Sequence, residues 1–241
     1  MEWDEIERAM VVVAHPDDAE FGSAGTAARL ANDGKDVFYV IVTDGSKGSS
    51  DPEMTPRRLS ETRREEQCAA ARVTGVKDVA FLGFPDGTLE PTLDVRKAIA
   101  GAIRQYRPDV LICSNPNRDF SANVFAQHPD HLAAGEATLA AVYPTARDRL
   151  TFPELAERGL EPWAVREVWI VGAPTPDFFV DITDTIETKV AALREHKSQI
   201  DPERVGEFVP ERAKQTGERA TVDGQAVKYD FAEAFKRLQI P

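Results

Sequence analysis

The chain has 241 residues, 42% of them hydrophobic, and a formal charge of −12 at pH 7. That length suits one sizeable α/β domain with its own core, or at most two small ones. So acidic a chain lacks the basic surface that nucleic acid or an anionic membrane needs, although a local basic pocket stays open to it.

The N-terminal stretch Met1-Glu2-Trp3-Asp4-Glu5 is acidic, with neither the basic region nor the apolar core of a signal peptide. No apolar run approaches the ~20 residues that span a bilayer. Cys68 and Cys113 fall in a helical and a strand pattern. They read as two buried free thiols, so the expected compartment is the cytoplasm.

Ala9 to Ala14 is a continuous apolar run, the pattern of a strand buried on both faces. Phe21 to Asp33 reads as an Ala-rich helix closed by Gly34. Gly22 and Gly25 in it do not make a dinucleotide fingerprint, and close helix packing is the better reading. Asp36 to Val42 is a second strand, and 43–52 a Gly/Ser loop that should reach the active edge. Thr55 or Ser60 caps a helix to about Val73; Asp78 to Leu82 is a third strand, ending in Phe84-Pro85-Asp86-Gly87. A helix over Thr92–Tyr106, a strand over Val110–Cys113, a polar loop over 114–127 and a helix over His128–Val142 follow. Tyr143 to Arg166 reads as a long excursion with at most one short helix. Val168–Val171 and Phe178–Val180 read as strands, and Ile182–Gln199 as a helix. The rest, Ile200 to Pro241, reads as broken helical segments. Trp163 and Trp169 read as core or interface residues.

Strands alternating with helices predict βαβ units: an α/β fold with a mainly parallel sheet flanked by helices. No repeat, low-complexity tract or linker interrupts the pattern. Residues 1–241 therefore read as one domain, with 200–241 packing on the core or covering the site.

Ligands of such sheets bind at the carboxyl ends of the strands. Ala14-His15-Pro16-Asp17-Asp18-Ala19-Glu20 follows the first strand, and Gln127-His128-Pro129-Asp130-His131 follows the fourth. Both arrive at one edge. His-Pro-Asp occurs twice, and these stretches hold three of the four histidines. His128 and His131, three apart at a helix start, can face the same way. Asp17 and Asp18 are adjacent in a turn and must point differently, so one can bind a metal while the other stays free. Two His and one Asp leave an open position, as a catalytic zinc needs, and a free carboxylate beside it can act as general base. These are the parts of a hydrolase acting on an amide or ester carbonyl.

The paired motifs, with Arg63-Arg64-Glu65-Glu66, Phe81 to Gly87 and His196-Lys197-Ser198-Gln199 in order between and after them, resemble the PIG-L / LmbE-like family of zinc-dependent N-deacetylases over roughly residues 9–200. The resemblance implies a Rossmann-like layered fold. It implies that His15, Asp18 and His131 bind Zn²⁺ or another divalent metal, and that Asp17 is the general base. It further implies that His128 stabilises the oxyanion or protonates the leaving amine, with Asp130 orienting it, and that Arg63 holds the substrate. The implied substrate is a small N-acetylated sugar or its conjugate, and homo-oligomers are expected from the same likeness. An amidase acting on a thiol S-conjugate or an acylated antibiotic keeps the same chemistry. Asn117 to Phe125 matches no pattern of the family, and so could carry substrate identity.

Iron(II) oxygenases also use two His and one carboxylate. Their usual one-residue spacing, on an all-β barrel, is not the His15–Asp18 spacing in an α/β chain. A non-catalytic sugar-binding module would have no need of the second carboxylate. His196, set among charged residues, reads as a surface or supporting group, and Glu20 has no assigned chemistry.

Overall fold

The computed structural model describes residues 1–119 and 127–241. Its elements in chain order are β1 (Arg8–Val13), α1 (Asp18–Asn32), β2 (Asp36–Thr43), α2 (Pro56–Val73), β3 (Asp78–Phe84), α3 (Leu93–Tyr106), β4 (Val110–Ser114), α4 (Pro129–Ala140), α5 (Pro153–Glu157), β5 (Glu167–Val171), β6 (Phe178–Asp181), α6 (Ile186–Leu193), α7 (Pro202–Gly217), the short hairpin β7 (Thr221–Val222) and β8 (Gln225–Ala226), and β9 (Ala232–Gln239). Thr55 caps α2 by accepting from the Arg58 N–H at 3.3 Å, and Thr92 caps α3 in the same way. Gly34 takes φ 78° after α1, where a side chain would be strained.

Seven strands form one sheet in the order β3-β2-β1-β4-β5-β9-β6. β1 to β5 run parallel. The central strand explains itself from its sequence. Met10 and Val12 enter the core under α3 and α4, while Ala9, Val11 and Val13 enter the core under α1 and α6. Alternate side chains of one apolar run thus fill both faces. Trp169 on β5 is core, 1% exposed. Gly22 lies against Val171, and a Cβ on Gly25 would come within 2.7 Å of Ile182, so both glycines serve close packing. Among the described residues no helix is long and apolar enough to cross a membrane.

Chain order reverses between β1 and β4, so the loops leaving their carboxyl ends part to opposite sides and leave a crevice. Both His-Pro-Asp stretches leave from that point. α4 can lie close enough to deliver its half because residue 135 is glycine. A Cβ there would collide with the Ser114 carbonyl oxygen at the end of β4. Gly135→Ala is therefore expected to push α4 outward, cost about 1–3 kcal/mol and loosen the site; denaturant unfolding together with metal titration checks both.

Two expectations differ from the structure. The helix expected over Ile182–Gln199 stops at Leu193, because His196 turns inward to a buried partner and the tertiary contact outweighs propensity. The tail from Ile200 is helical only in α7. Ala232–Gln239 instead forms a strand lying antiparallel between β5 and β6. Its Ala, Glu, Lys and Arg content favours a helix, but Phe235 joins the core under α1 and α6 and two neighbouring strands take its backbone bonds.

Arg237 of β9 grips Glu167 of β5 with two bonds, of 2.8 and 2.6 Å. Trp169 and the Met1 amine donate to the same carboxylate. Burial would raise the Glu167 pKa from 4.5; the bonds from Arg237, the amine and Trp169 outweigh it, and the pKa is lowered. A depressed carboxyl stabilises the fold fully above its unfolded pKa and loses that contribution as pH falls through its folded pKa. Below about pH 4.5 the wild type should therefore lose melting temperature more steeply than Glu167→Gln, which thermal unfolding across acid pH would reveal.

Candidate functional site

β1 ends at Val13, and the Ala14 carbonyl accepts from the Thr43 N–H at 2.8 Å, tying the first loop to the end of β2. After Pro16, Asp17 takes φ 96° and ψ −28°, a left-handed conformation uncommon for any residue but glycine. That turn separates the two carboxylates. Asp18 opens α1 and folds back, accepting from the His15 N–H at 2.8 Å. Asp17 faces away, 3.4 Å from the Arg63 guanidinium.

The second stretch is a helix start. His128 is the N-cap of α4, and its Nδ1 accepts from the Asp130 N–H at 3.2 Å. A ring nitrogen that accepts holds no proton, so the proton of the neutral ring sits on Nε2. His128 thus offers an N–H donor. Burial, and then the charge on His15, hold its pKa below the ordinary value.

His15, Asp18 and His131 meet at one point. His15 Nδ1 lies 3.2 Å from His131 Nε2 and 3.3 Å from Asp18 Oδ2, and His131 Nε2 lies 3.1 Å from Asp18 Oδ1. The tautomer of His15 can be derived. Its Nε2 lies 3.1 Å from an Asp130 oxygen and 3.2 Å from an Asp86 oxygen. Two carboxylates face that nitrogen, so it carries the proton, and Nδ1 turns a lone pair toward His131 and Asp18. Three lone-pair groups converging in this way call for a cation. Zinc bonds of 2.0–2.1 Å in a tetrahedron place ligand atoms about 3.3 Å apart, which matches the three separations. The donor set therefore fits zinc. The His128 ring stands 4.8 Å from that of His15, and the three histidines form a further group able to hold a metal.

The electrostatics carry the same demand for positive charge. Burial would lower the His15 pKa, but hydrogen bonds to Asp130, Asp18 and Asp86 raise it to about 11. Burial would raise that of Asp18; the charge on His131 outweighs it, and the carboxyl is held well below the usual range. Asp17 goes the other way. Burial first, and then the neighbouring Asp18 charge, push it up to about 7, against the pull of Arg63, His196 and His15. Adjacent carboxylates thus have opposite tendencies: one holds charge, the other takes a proton near neutral pH.

Two expected site residues make contacts that add to their roles. Asp130 is fully buried, and its carboxylate is taken up by the Gly87 N–H at 2.7 Å, the Leu89 N–H at 3.1 Å and His15. Its backbone orients His128, while its side chain orients His15. Arg63 is only 5% exposed. It donates to the carbonyls of Pro16, Gly45 and Lys47, and so fastens the 43–48 loop to the first motif.

Asp86 is the residue that sequence reasoning missed. It is 4% exposed, accepts from the Lys47 N–H at 2.9 Å and holds His15. Its pKa is lowered to about 2, the bonds from His15 and Lys47 outweighing burial. Its signal was position: an acidic turn residue after β3 must arrive at the same edge. His196 is fully buried, not at the surface. Of the loop expected to carry substrate identity, residues 120–126 lie outside the described residues.

The sequence matches the PIG-L family, described as GlcNAc-PI de-N-acetylase, over residues 10–142. It is 35% identical over 206 residues to a diacetylchitobiose deacetylase of Thermococcus kodakarensis, covering 86% of this chain and 74% of that one. It is 29% identical to a mycothiol S-conjugate amidase of Streptomyces coelicolor, covering 81% of this chain and 83% of the other. The fold superposes on N,N′-diacetylchitobiose deacetylase from Pyrococcus horikoshii, solved with its inhibitor MPG, with a TM-score of 0.86 and 27% identity, covering 98% of this chain and 85% of that one. With the family matched over more than half its length, and a deacetylase 35% identical over most of it, this chain belongs to the PIG-L (LmbE-like) family of deacetylases.

Proposed function

We propose that this protein is a zinc-dependent de-N-acetylase that hydrolyses the acetamide of a small N-acetylated amino sugar or its conjugate. The observation that carries this reading is the split between Asp18, drawn into the His15–His131 cluster, and Asp17, turned out of it beside Arg63. His15, Asp18 and His131 would hold the zinc, which when bound would supply Lewis acidity to an amide carbonyl and lower the pKa of water toward neutral. Asp17 takes a proton from the attacking water. His128 Nε2–H donates to the carbonyl oxygen as negative charge grows there. The C–N bond then breaks, and the amine nitrogen leaves with the proton held by Asp17. Asp86 and Asp130 keep His15 in the tautomer that presents Nδ1. The unpaired cysteines Cys68 and Cys113 suit a cytoplasmic location.

The test is acetate release by zinc-loaded protein from N-acetylglucosamine and N,N′-diacetylchitobiose, repeated after chelation. Release that chelator abolishes and zinc restores is the expected result; no release from either sugar would sink the sugar assignment. Hydrolysis of a thiol S-conjugate amide instead would favour the second reading, which the likeness to the mycothiol S-conjugate amidase supports.

A further inference from the structure

Three fully buried polar side chains lie behind Asp17 and take no part in the proposed chemistry. They are Glu20 on α1, Gln67 on α2 and His196 after α6, each 0% exposed. They form a chain. The Asp17 N–H donates to Gln67 Oε1 at 3.0 Å, Gln67 Nε2 donates to Glu20 Oε1 at 2.9 Å, and His196 Nε2 meets Glu20 Oε2 at 3.0 Å. We infer that Gln67, Glu20 and His196 are positioning residues that hold the backbone of Asp17 in its left-handed turn and so aim its carboxylate; this rests on Asp17 being the general base.

The direction of every bond follows from what each group can do. An amide side chain can turn over, exchanging its oxygen and nitrogen. If Gln67 did so, its NH₂ would face the Asp17 N–H, donor against donor, and the backbone N–H would be left unsatisfied in the interior. Glu20 prevents this. As a carboxylate it only accepts, so it demands the NH₂ end of Gln67 and leaves the oxygen for Asp17. His196 completes the chain. Its Nδ1 has no partner among the described residues, so the ring proton belongs on Nε2, which donates to the second Glu20 oxygen. The segment carrying His196 is itself pinned to α2, since the Ser198 N–H and hydroxyl donate to Glu66 at 2.8 and 2.7 Å.

The strained residue is also the one that needs aiming. A non-glycine residue at φ 96° persists only where its surroundings over-determine it. Its N–H is held by Gln67, its carbonyl accepts from the Phe21 N–H at 3.0 Å, and its carboxylate faces Arg63. Without the Gln67 contact the turn can relax toward an ordinary conformation. Asp17 would then swing toward Asp18, and the split between base and ligand would be lost.

The test compares Asp17→Asn, Gln67→Met, Gln67→Glu and the exchange Glu20→Gln/Gln67→Glu, each scored for kcat, KM, zinc content and melting temperature. Gln67→Met is expected to keep its zinc and KM and to lose about 10–100-fold in kcat. Gln67→Glu alone sets two carboxylates against each other and should lose at least as much. The exchange rebuilds the chain with the two side chains swapped. The carboxylate, now on α2, would accept from the Asp17 N–H and from the NH₂ of the amide, now on α1, while the amide oxygen would accept from His196. It should return kcat to within about five-fold of wild type, a rescue that a merely structural role would not produce. Wild-type kcat in Gln67→Met overturns the inference. So does an exchange variant that stays as impaired as Gln67→Glu or does not fold, and the exchange decides alone if Gln67→Met does not fold. An active Asp17→Asn removes the base assignment itself; an inactive Asp17→Asn beside a fully active Gln67→Met removes only the positioning role.

Discussion

Asp17→Asn is expected to keep a full complement of metal and to lose about 10²–10⁴-fold in kcat, the usual worth of a positioned general base. Asn is the right replacement, because it tolerates a left-handed backbone at least as well as Asp and fills nearly the same volume. It can still face Arg63 but cannot take a proton. The metal should stay, since the His15, Asp18 and His131 contacts do not involve Asp17. The loss amounts to about 3–5 kcal/mol of transition-state stabilisation and should leave KM nearly unchanged. Metal analysis beside steady-state kinetics checks it. A variant that lost metal and turnover together would make Asp17 a ligand and overturn the division of labour.

His131→Ala is expected to do the opposite: to abolish metal binding, and activity with it. It removes one of three converging donors, the one that lies 3.1 Å from Asp18 and 3.2 Å from His15. The loss should exceed the about 10–100-fold in metal affinity expected when a supporting carboxylate is removed, as in Asp86→Asn. Thermal unfolding gives a readout independent of turnover. A metal present at 100 times its Kd stabilises the native state by about 2.7 kcal/mol. Zinc should therefore raise the melting temperature of wild type and of Asp17→Asn, and leave that of His131→Ala unmoved. Wild-type loading should also weaken as pH falls, because the metal and protons compete for the same lone pairs.

The candidate metal site was legible in the sequence for a physical reason. Its ligands sit in two short local motifs, each immediately after a strand, and the parallel sheet brings both to one edge. What supports that site was not legible, because its partners are distant in sequence and chemically plain. Glu20, Gln67 and His196 are separated by 47 residues or more at each link, and a Gln inside an Arg/Glu-rich helix carries no chemical signal. His196 read as a surface or supporting group because its neighbours are charged; the segment after α6 turns it inward, which leaves the supporting alternative. Arg63 was legible as a residue near the site, but its burial against three carbonyls was not. Asp130 shows the same limit, since the resemblance tied it to His128 and gave no sign that its side chain also meets His15.

The placement of β9 bears on the order in which the molecule is assembled during synthesis. β6, at residues 178–181, meets the sheet only through β9, at residues 232–239. Some fifty residues must therefore emerge after β6 before it gains a neighbour. The candidate metal ligands lie between the end of β1 and α4, and all of them are made before that happens. A growing chain can thus gather the half that holds the candidate site while β5 still presents an open edge, the kind of surface that invites pairing with other chains. The late strand closes that edge, so the interval between translating β5 and docking β9 is when a nascent copy is most exposed to aggregation.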